Sequence, residues 1–344
     1  MSRRNPQNTK PLFILCATYV AAARAAEELS RHDTVILDCE GRELGIPGGA
    51  LSLIAIGDST ASHIFLFDVL ALSDRRHPLL SPLFALLRRT DIVKVVWDGR
   101  ADFCEIAETY GVLMEGVLDL QLAEVAQRAR SPHSRKGGVR ARHTVGYFKK
   151  LKDEPLASFD GIHRLFGLEQ CARFFQLLRG DGGKDLVSPR LTPSFPRILA
   201  FTPVEMAATV MAMHADQQSA MWMQRPLPSP LLHYAAHDIE LIALVLDRFA
   251  PGQRGDYLTA LPDLLAMSAR YMQASPTREL RALHVRLDLC RFVPLDVLKA
   301  PSAGATRLKE ASRRQSLVRL SLCRLCDLLA RRNAEVIVRD WLEV

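Results

Sequence analysis

The feature that most constrains the fold is an alternation of short apolar runs with stretches of helical spacing, from residue 34 to about residue 124. Short apolar runs bounded by turn residues are typical of buried strands, and longer stretches with an apolar residue every third or fourth position are typical of helices. The predicted strands are residues 34–37, 51–56, 64–69, 92–97 and 112–118, and the predicted helices are residues 78–87, 101–110 and 120–129. Strands in succession followed by strand–helix–strand predict an α/β fold, a mixed sheet flanked by helices.

Three carboxylates accompany these strands. Asp38 and Glu40 follow the first strand, separated by one residue, so that alternation along a strand places both on the same face. Two like charges side by side are costly unless a cation lies between them, which favours a metal site; the alternative is a solvated surface, where Asp-x-Glu is common. Asp102 opens the helix after the fourth strand, either as a metal ligand or as an N-terminal helix cap.

A further helix is predicted over residues 229–249, with Ser229 as N-cap and Pro230 at the first helical position. Tyr234 and Asp238 lie four residues apart on it and therefore share one face, opposite an apolar face. Such a pair also arises often by chance, so it gains meaning only in combination with the three earlier acids.

The order Asp-x-Glu, Asp, Tyr-x-x-x-Asp resembles the DEDD superfamily of 3′–5′ exonucleases. The tyrosine places the resemblance in the DEDDy branch, which includes ribonuclease D and the Werner-type exonuclease domain. The segments that carry it are residues 37–41, 51–54, 65–68, 94–97, 117–121, 222–227 and 234–238. The resemblance covers roughly residues 12–250, and the pattern is most similar to eukaryotic, especially fungal, 3′–5′ exonuclease-domain proteins. One departure is Trp97, where ribonuclease D-like sequences usually carry a small or polar residue.

The resemblance implies a ribonuclease H-like fold and a two-metal site. Two Mg²⁺ or Mn²⁺ ions would be held by Asp38, Glu40, Asp102 and Asp238, with Asp38 shared by both ions. Tyr234 would orient the attacking water beside Glu40. The expected reaction is hydrolysis of phosphodiester bonds from single-stranded nucleic-acid 3′ ends, with RNA somewhat favoured over DNA. The alternative is a non-catalytic RNA-binding adaptor on the same fold, a role that some family members take after losing metal ligands.

The sequence predicts two regions, an exonuclease domain over residues 1–252 and a basic, mostly helical C-terminal extension over residues 253–344. The extension holds 16 Lys/Arg and 10 Asp/Glu, and it could bind nucleic acid or an acidic protein partner. Within the domain, residues 128–152 hold nine Lys/Arg and no acid. This stretch is either a solvated loop or a phosphate-binding strip in which Tyr147 and Phe148 stack on bases. A second loop is expected at residues 180–196.

Cysteine usage and hydropathy bear on the compartment. The seven cysteines are odd in number and mostly lie in apolar runs, which is typical of reduced thiols in an intracellular protein, nuclear or cytoplasmic. Cys323 and Cys326 have the spacing of zinc ligands, but buried thiols in a helix are the competing interpretation. The N-terminus imitates a signal peptide, yet it also fits a strand at residues 13–16 and a helix from Thr18, so we expect a protein that is not secreted and does not enter a membrane.

Overall fold

The computed structural model describes residues 13–130, 162–178, 219–250, 261–274, 277–286 and 289–294. They fall into two units that interleave along the chain. Unit 1 draws on residues 1–44, 48–117 and 168–248, and unit 2 on residues 45–47, 118–167 and 249–344. The predicted loop at residues 180–196, the basic stretch beyond residue 130, residue 252 and both Cys323 and Cys326 lie outside the described residues. The domain boundary at residue 252 therefore stays a prediction.

A six-stranded mixed sheet is formed by strands between residues 14 and 119. Its strands are β1 (Ile14–Cys16), β2 (Thr34–Arg42), β3 (Ala50–Asp58), β4 (Ile64–Asp68), β5 (Val93–Val96) and β6 (Val117–Asp119). They lie in the order β1-β4-β3-β2-β5-β6. The pairs β2–β3 and β3–β4 are antiparallel, and the pairs β1–β4 and β2–β5 are parallel. Strands β3 and β4 are buried along almost their whole length, as their mainly apolar sequences predict.

The helices of unit 1 flank this sheet. They are α1 (Tyr19–Leu29), α2 (Ser81–Arg88), α3 (Arg100–Tyr110), α5 (Leu168–Phe174) and α6 (Ser229–Phe249), with short 3₁₀ turns at Pro78–Leu80 and Ala220–Met223. Thr18 caps α1 by accepting a hydrogen bond from the Ala21 amide, which confirms the predicted helix start. Gly111 ends α3 with a left-handed φ of 64°. The predicted α/β fold with a mixed sheet is confirmed.

One predicted strand is wrong over most of its length. Residues 112–118 were expected to be a strand, but only Val117–Asp119 pairs with the sheet. Gly116 has a φ of 62°, and a Cβ there would lie 2.9 Å from the Ile92 carbonyl oxygen. The connection from α3 therefore runs close to the backbone of the neighbouring segment before the strand begins.

Unit 2 contains α4 (Leu120–Arg130), α7 (Leu261–Met272), α8 (Arg278–Arg286), a 3₁₀ turn at Leu289–Arg291 and the antiparallel pair β7 (Ile162–Arg164) and β8 (Phe292–Pro294). The helical extension was expected from the sequence, whereas the β7–β8 pair was not.

Buried polar contacts fix α4 and α7 of unit 2. The Tyr271 hydroxyl donates to Gln121, and Ser268 accepts from the Asp119 amide. Arg128 forms a bidentate pair with Glu124 one turn away. None of the helices in the described ranges is long and apolar enough to cross a membrane.

Candidate metal centre

Strand β2 brings Asp38 and Glu40 to one face of the sheet. The residues between and before them, Cys39 and Leu37, are buried, whereas the two carboxylates are partly exposed. In the antiparallel pair with β3, Asp38 lies opposite Ala55 and Glu40 opposite Leu53. The period of two along the strand therefore produces the shared face that the sequence predicted.

A β-bulge lies directly beside Glu40. Glu40 pairs with Leu53 but the next residue, Gly41, pairs with Leu51, so Ser52 has no opposite residue in β2. A side chain at residue 41 would not fit, because a Cβ there would lie 2.2 Å from the Ala50 carbonyl oxygen. Bulges interrupt the hydrogen-bond ladder locally and bend the bulged strand.

Helix α6 supplies the other two predicted residues. Tyr234 and Asp238 lie one turn apart and are both partly exposed, whereas Ala235 and Ile239 between and beside them are fully buried. The helix approaches the sheet closely at Ile239, whose Cγ2 would lie 2.6 Å from a Cβ added to Gly57 of β3. The Tyr234 hydroxyl also hydrogen-bonds the Asp238 carboxylate.

Three of the four predicted ligands meet. Asp38, Glu40 and Asp238 each offer a carboxylate oxygen, and these oxygens lie within 4.8 Å of one another. Asp102 lies in the first turn of α3 and is 6% exposed. It stands outside this group of three, but its charge raises the pKa of both Asp38 and Glu40. We refer to Asp38, Glu40 and Asp238 as the acid cluster.

The electrostatics of the acid cluster favour a bound cation. Burial raises the pKa of Asp38 well above its usual range, and the charges of Asp102 and Asp238 raise it further. Burial likewise raises the pKa of Glu40, followed by the charges of its acidic neighbours. The backbone amide of Cys39 donates a hydrogen bond to Asp38, which lowers the pKa of Asp38 and so opposes these effects. A hard divalent cation with oxygen ligands fits such a donor set, because it neutralises charges that otherwise repel.

Tyr234 is held in its protonated form. The charge of Asp238 raises the pKa of its phenol far above the ordinary value, and burial and the charges of Glu40 and Asp38 act in the same direction. A phenol in this environment donates a hydrogen bond and does not give up its proton near neutral pH. At this site the Tyr234 hydroxyl can therefore orient a neighbouring group by a hydrogen bond but cannot act as a base.

An ion pair between the partly buried Arg225 and the buried Asp68 was not expected from the sequence. Arg225 binds Asp68 at the end of β4 through two nitrogens, Nε to Oδ2 at 2.8 Å and Nη2 to Oδ1 at 2.7 Å. Its Nη2 also donates to the carbonyl and hydroxyl oxygens of Ser52 at 3.0 and 2.9 Å. We call Arg225, Asp68 and Ser52 the Arg225 clamp. The resemblance at residues 225–227 was the one sequence signal that pointed to this arginine.

Comparisons with known proteins agree with the fold. The 3′–5′ exonuclease family model matches residues 14–136, about a third of the chain. Among solved structures, ribonuclease D of Trypanosoma brucei in complex with GMP has a TM-score of 0.54 and 21% identity, covering 78% of this chain and 65% of that one. The same enzyme in complex with RNA U12 has a TM-score of 0.53 and 21% identity, and the match covers 78% of this chain and 71% of that one. Ribonuclease D of Escherichia coli has a TM-score of 0.46 and 16% identity, and the match covers 93% of this chain and 75% of that one.

The extent of these matches limits what they establish. The chain spans just under two thirds of the first of these structures, and at 21% identity the likeness establishes the fold. No curated protein matches the chain. The placement in the tyrosine branch and the fungal character stay predictions. The family match is to a 3′–5′ exonuclease domain and is limited to residues 14–136.

Proposed function

We propose that this chain is a metal-dependent 3′–5′ exonuclease in which Asp38, Glu40, Asp102 and Asp238 hold two divalent ions, Mg²⁺ or Mn²⁺, and Tyr234 orients the attacking water. The observation that carries the proposal is the acid cluster, three carboxylates within 4.8 Å of one another. It lies partly inside and partly beyond the segment that matches the exonuclease family, because Asp238 comes from α6.

The roles of the residues follow from their positions. Asp38 and Glu40 on the rigid strand β2 and Asp238 on α6 would provide oxygen ligands from two different elements. Asp102 would act from farther away, through its charge and through water. Bound divalent ions would activate a water and stabilise the leaving oxygen. Because its pKa is raised, the Tyr234 hydroxyl would keep its proton and orient that water by a hydrogen bond.

The proposed substrate is a single-stranded 3′ end, with RNA favoured over DNA. The support is the likeness to ribonuclease D, of which one solved structure is a complex with RNA U12. Hydrolysis would release nucleoside 5′-monophosphates. The competing adaptor role needs only that the chain binds RNA without cleaving it, so the same assay distinguishes the two.

The test uses single-stranded RNA and DNA of the same sequence, labelled at either the 5′ or the 3′ end, with Mn²⁺ or with EDTA. We expect a descending ladder from the 5′-labelled strand, immediate release of labelled mononucleotide from the 3′-labelled strand, and no cleavage in EDTA. Asp38→Ala should be inactive, whereas the exposed Asp33→Asn serves as a matched acidic control and should cleave like wild type. Binding of RNA without cleavage would replace the proposal with the adaptor.

A further inference from the structure

The ring of Tyr234 packs on a second aromatic residue that the proposed chemistry does not use. Trp222 is fully buried, and its ring centroid lies 6.3 Å from that of Tyr234 with the planes at 57°. This distance is within the range in which aromatic rings attract each other. Trp222 belongs to the 3₁₀ turn Ala220–Met223, which contacts β2, the strand of Asp38 and Glu40. The tryptophan segment thus contacts both elements of the acid cluster.

The backbone of Trp222 is fixed by the Arg225 clamp. Its carbonyl oxygen accepts hydrogen bonds from the Ser52 hydroxyl and from Arg225 Nη1, the latter at 2.9 Å. Ser52 is the bulge residue of β3, next to Leu53, which pairs with Glu40, and Arg225 forms an ion pair with the buried Asp68. One polar network therefore connects the bulge of β3, beside the residue that pairs with Glu40, to the backbone that carries the tryptophan.

The indole ring itself acts by shape. Its Nε1 is buried and has no hydrogen-bond partner among the residues that the structure describes. A buried indole N–H usually finds a partner, so a tryptophan retained without one contributes through its size and plane. Replacing it by phenylalanine removes no hydrogen bond within this part of the chain but leaves the Tyr234 ring with less support.

We propose that Trp222 is a positioning residue for Tyr234: its ring, held by the Arg225 clamp, keeps the tyrosine plane in the orientation in which the hydroxyl meets the attacking water. This rests on the proposed function, in which Tyr234 orients that water. The hydrogen bond to Asp238 holds one end of the phenol, and the contact with Trp222 restricts rotation of the ring. A misplacement of about 1 Å at a reacting group can cost about a hundredfold in rate, so a loosened ring has a measurable effect.

The test is a double-mutant cycle on the cleavage rate of single-stranded RNA under saturating Mn²⁺. Trp222→Phe should lower kcat about tenfold with little change in KM, since metal and substrate binding are untouched. In a Tyr234→Phe background the same substitution should change kcat less than about twofold, because the group it positions is already gone. The shift in melting temperature caused by Mn²⁺ should stay as in wild type.

Two further variants separate positioning from general stability. Phe249→Leu removes part of a fully buried aromatic ring at the far end of α6, and it should lower the melting temperature without lowering kcat. Ser52→Ala removes the hydroxyl bond to the Trp222 carbonyl without touching the ring, and it should reproduce the kcat loss in smaller measure. It also provides the test if Trp222→Phe does not fold.

Additive losses of kcat in the two backgrounds, or an equal loss in Phe249→Leu, would overturn the positioning role while leaving the exonuclease intact. A wild-type protein that cleaves no nucleic acid with metal present would instead overturn the proposed function, and the role of Trp222 would fall with it.

Discussion

Replacing Asp38 by asparagine should stabilise the metal-free protein while removing its ability to use metal. Asp38, Glu40 and Asp238 offer oxygens within 4.8 Å of one another. At an effective dielectric constant of about 20, two full charges at this separation repel by about 3.5 kcal/mol. Uptake of protons relieves part of this repulsion, since the pKa of Asp38 and of Glu40 is raised. We therefore expect a net gain of about 1–3 kcal/mol in the free energy of unfolding.

The assay is urea unfolding at neutral pH in EDTA, with wild type, Asp38→Asn and the exposed control Asp33→Asn compared. The control should change the free energy of unfolding by less than about 0.5 kcal/mol. Excess Mn²⁺ should stabilise wild type by about 3 kcal/mol when its concentration is a hundred times the dissociation constant, and Asp38→Asn by much less. A metal-free Asp38→Asn that is less stable than wild type would refute the idea that uncompensated repulsion exists in the cluster.

Three further predictions concern the frame of the site. Arg225→Met should cost about 3 kcal/mol in urea unfolding, because it leaves the buried Asp68 carboxylate without its cation, and Asp68→Asn in the same chain should restore part of the loss. Burial lowers the pKa of Lys94 to about 8, below its value in the unfolded chain. Between these two pKa values the unfolded chain binds more protons at Lys94 than the folded chain does, so the free energy of unfolding rises with pH in this range. In wild type this rise is at most about 1.4 kcal/mol per pH unit in the free energy of unfolding, measured with urea, and Lys94→Met should lack it. Identical pH slopes in wild type and Lys94→Met would contradict the prediction. Gly41→Ala should lower the melting temperature and weaken Mn²⁺ binding, whereas Gly167→Ala, where a Cβ meets nothing within 4 Å, should do neither.

Local periodicity predicted which acids share a face, and the resemblance to the DEDD superfamily implied that they meet, but neither predicted the buried contacts around the site. Alternation along β2 placed Asp38 and Glu40 on one face, and the helical period placed Tyr234 and Asp238 on another. The residues of each pair are two or four positions apart, so their spacing can be read directly from the sequence. The apolar runs also predicted the mixed sheet, because buried strands require continuous apolar residues.

The frame depends on contacts between residues far apart in the chain. Arg225 binds Asp68 across 157 residues and Ser52 across 173. The bulge that leaves Ser52 without a partner in β2 depends on a register shift between two strands, and no residue type in β3 predicts it. The same reason explains why the β7–β8 pair in unit 2 was not predicted, since its two strands are short and come from distant segments.

The measurement that tests the central claim most directly is the number of Mn²⁺ ions bound per chain, by calorimetric titration of wild type and of Asp238→Asn. Asp247→Asn, a matched substitution on the same helix, is the control. We predict two ions for wild type and for the control, and the loss of at least one in Asp238→Asn. Absence of Mn²⁺ binding in wild type, or binding that Asp238→Asn leaves unchanged, would contradict a metal site built from these carboxylates.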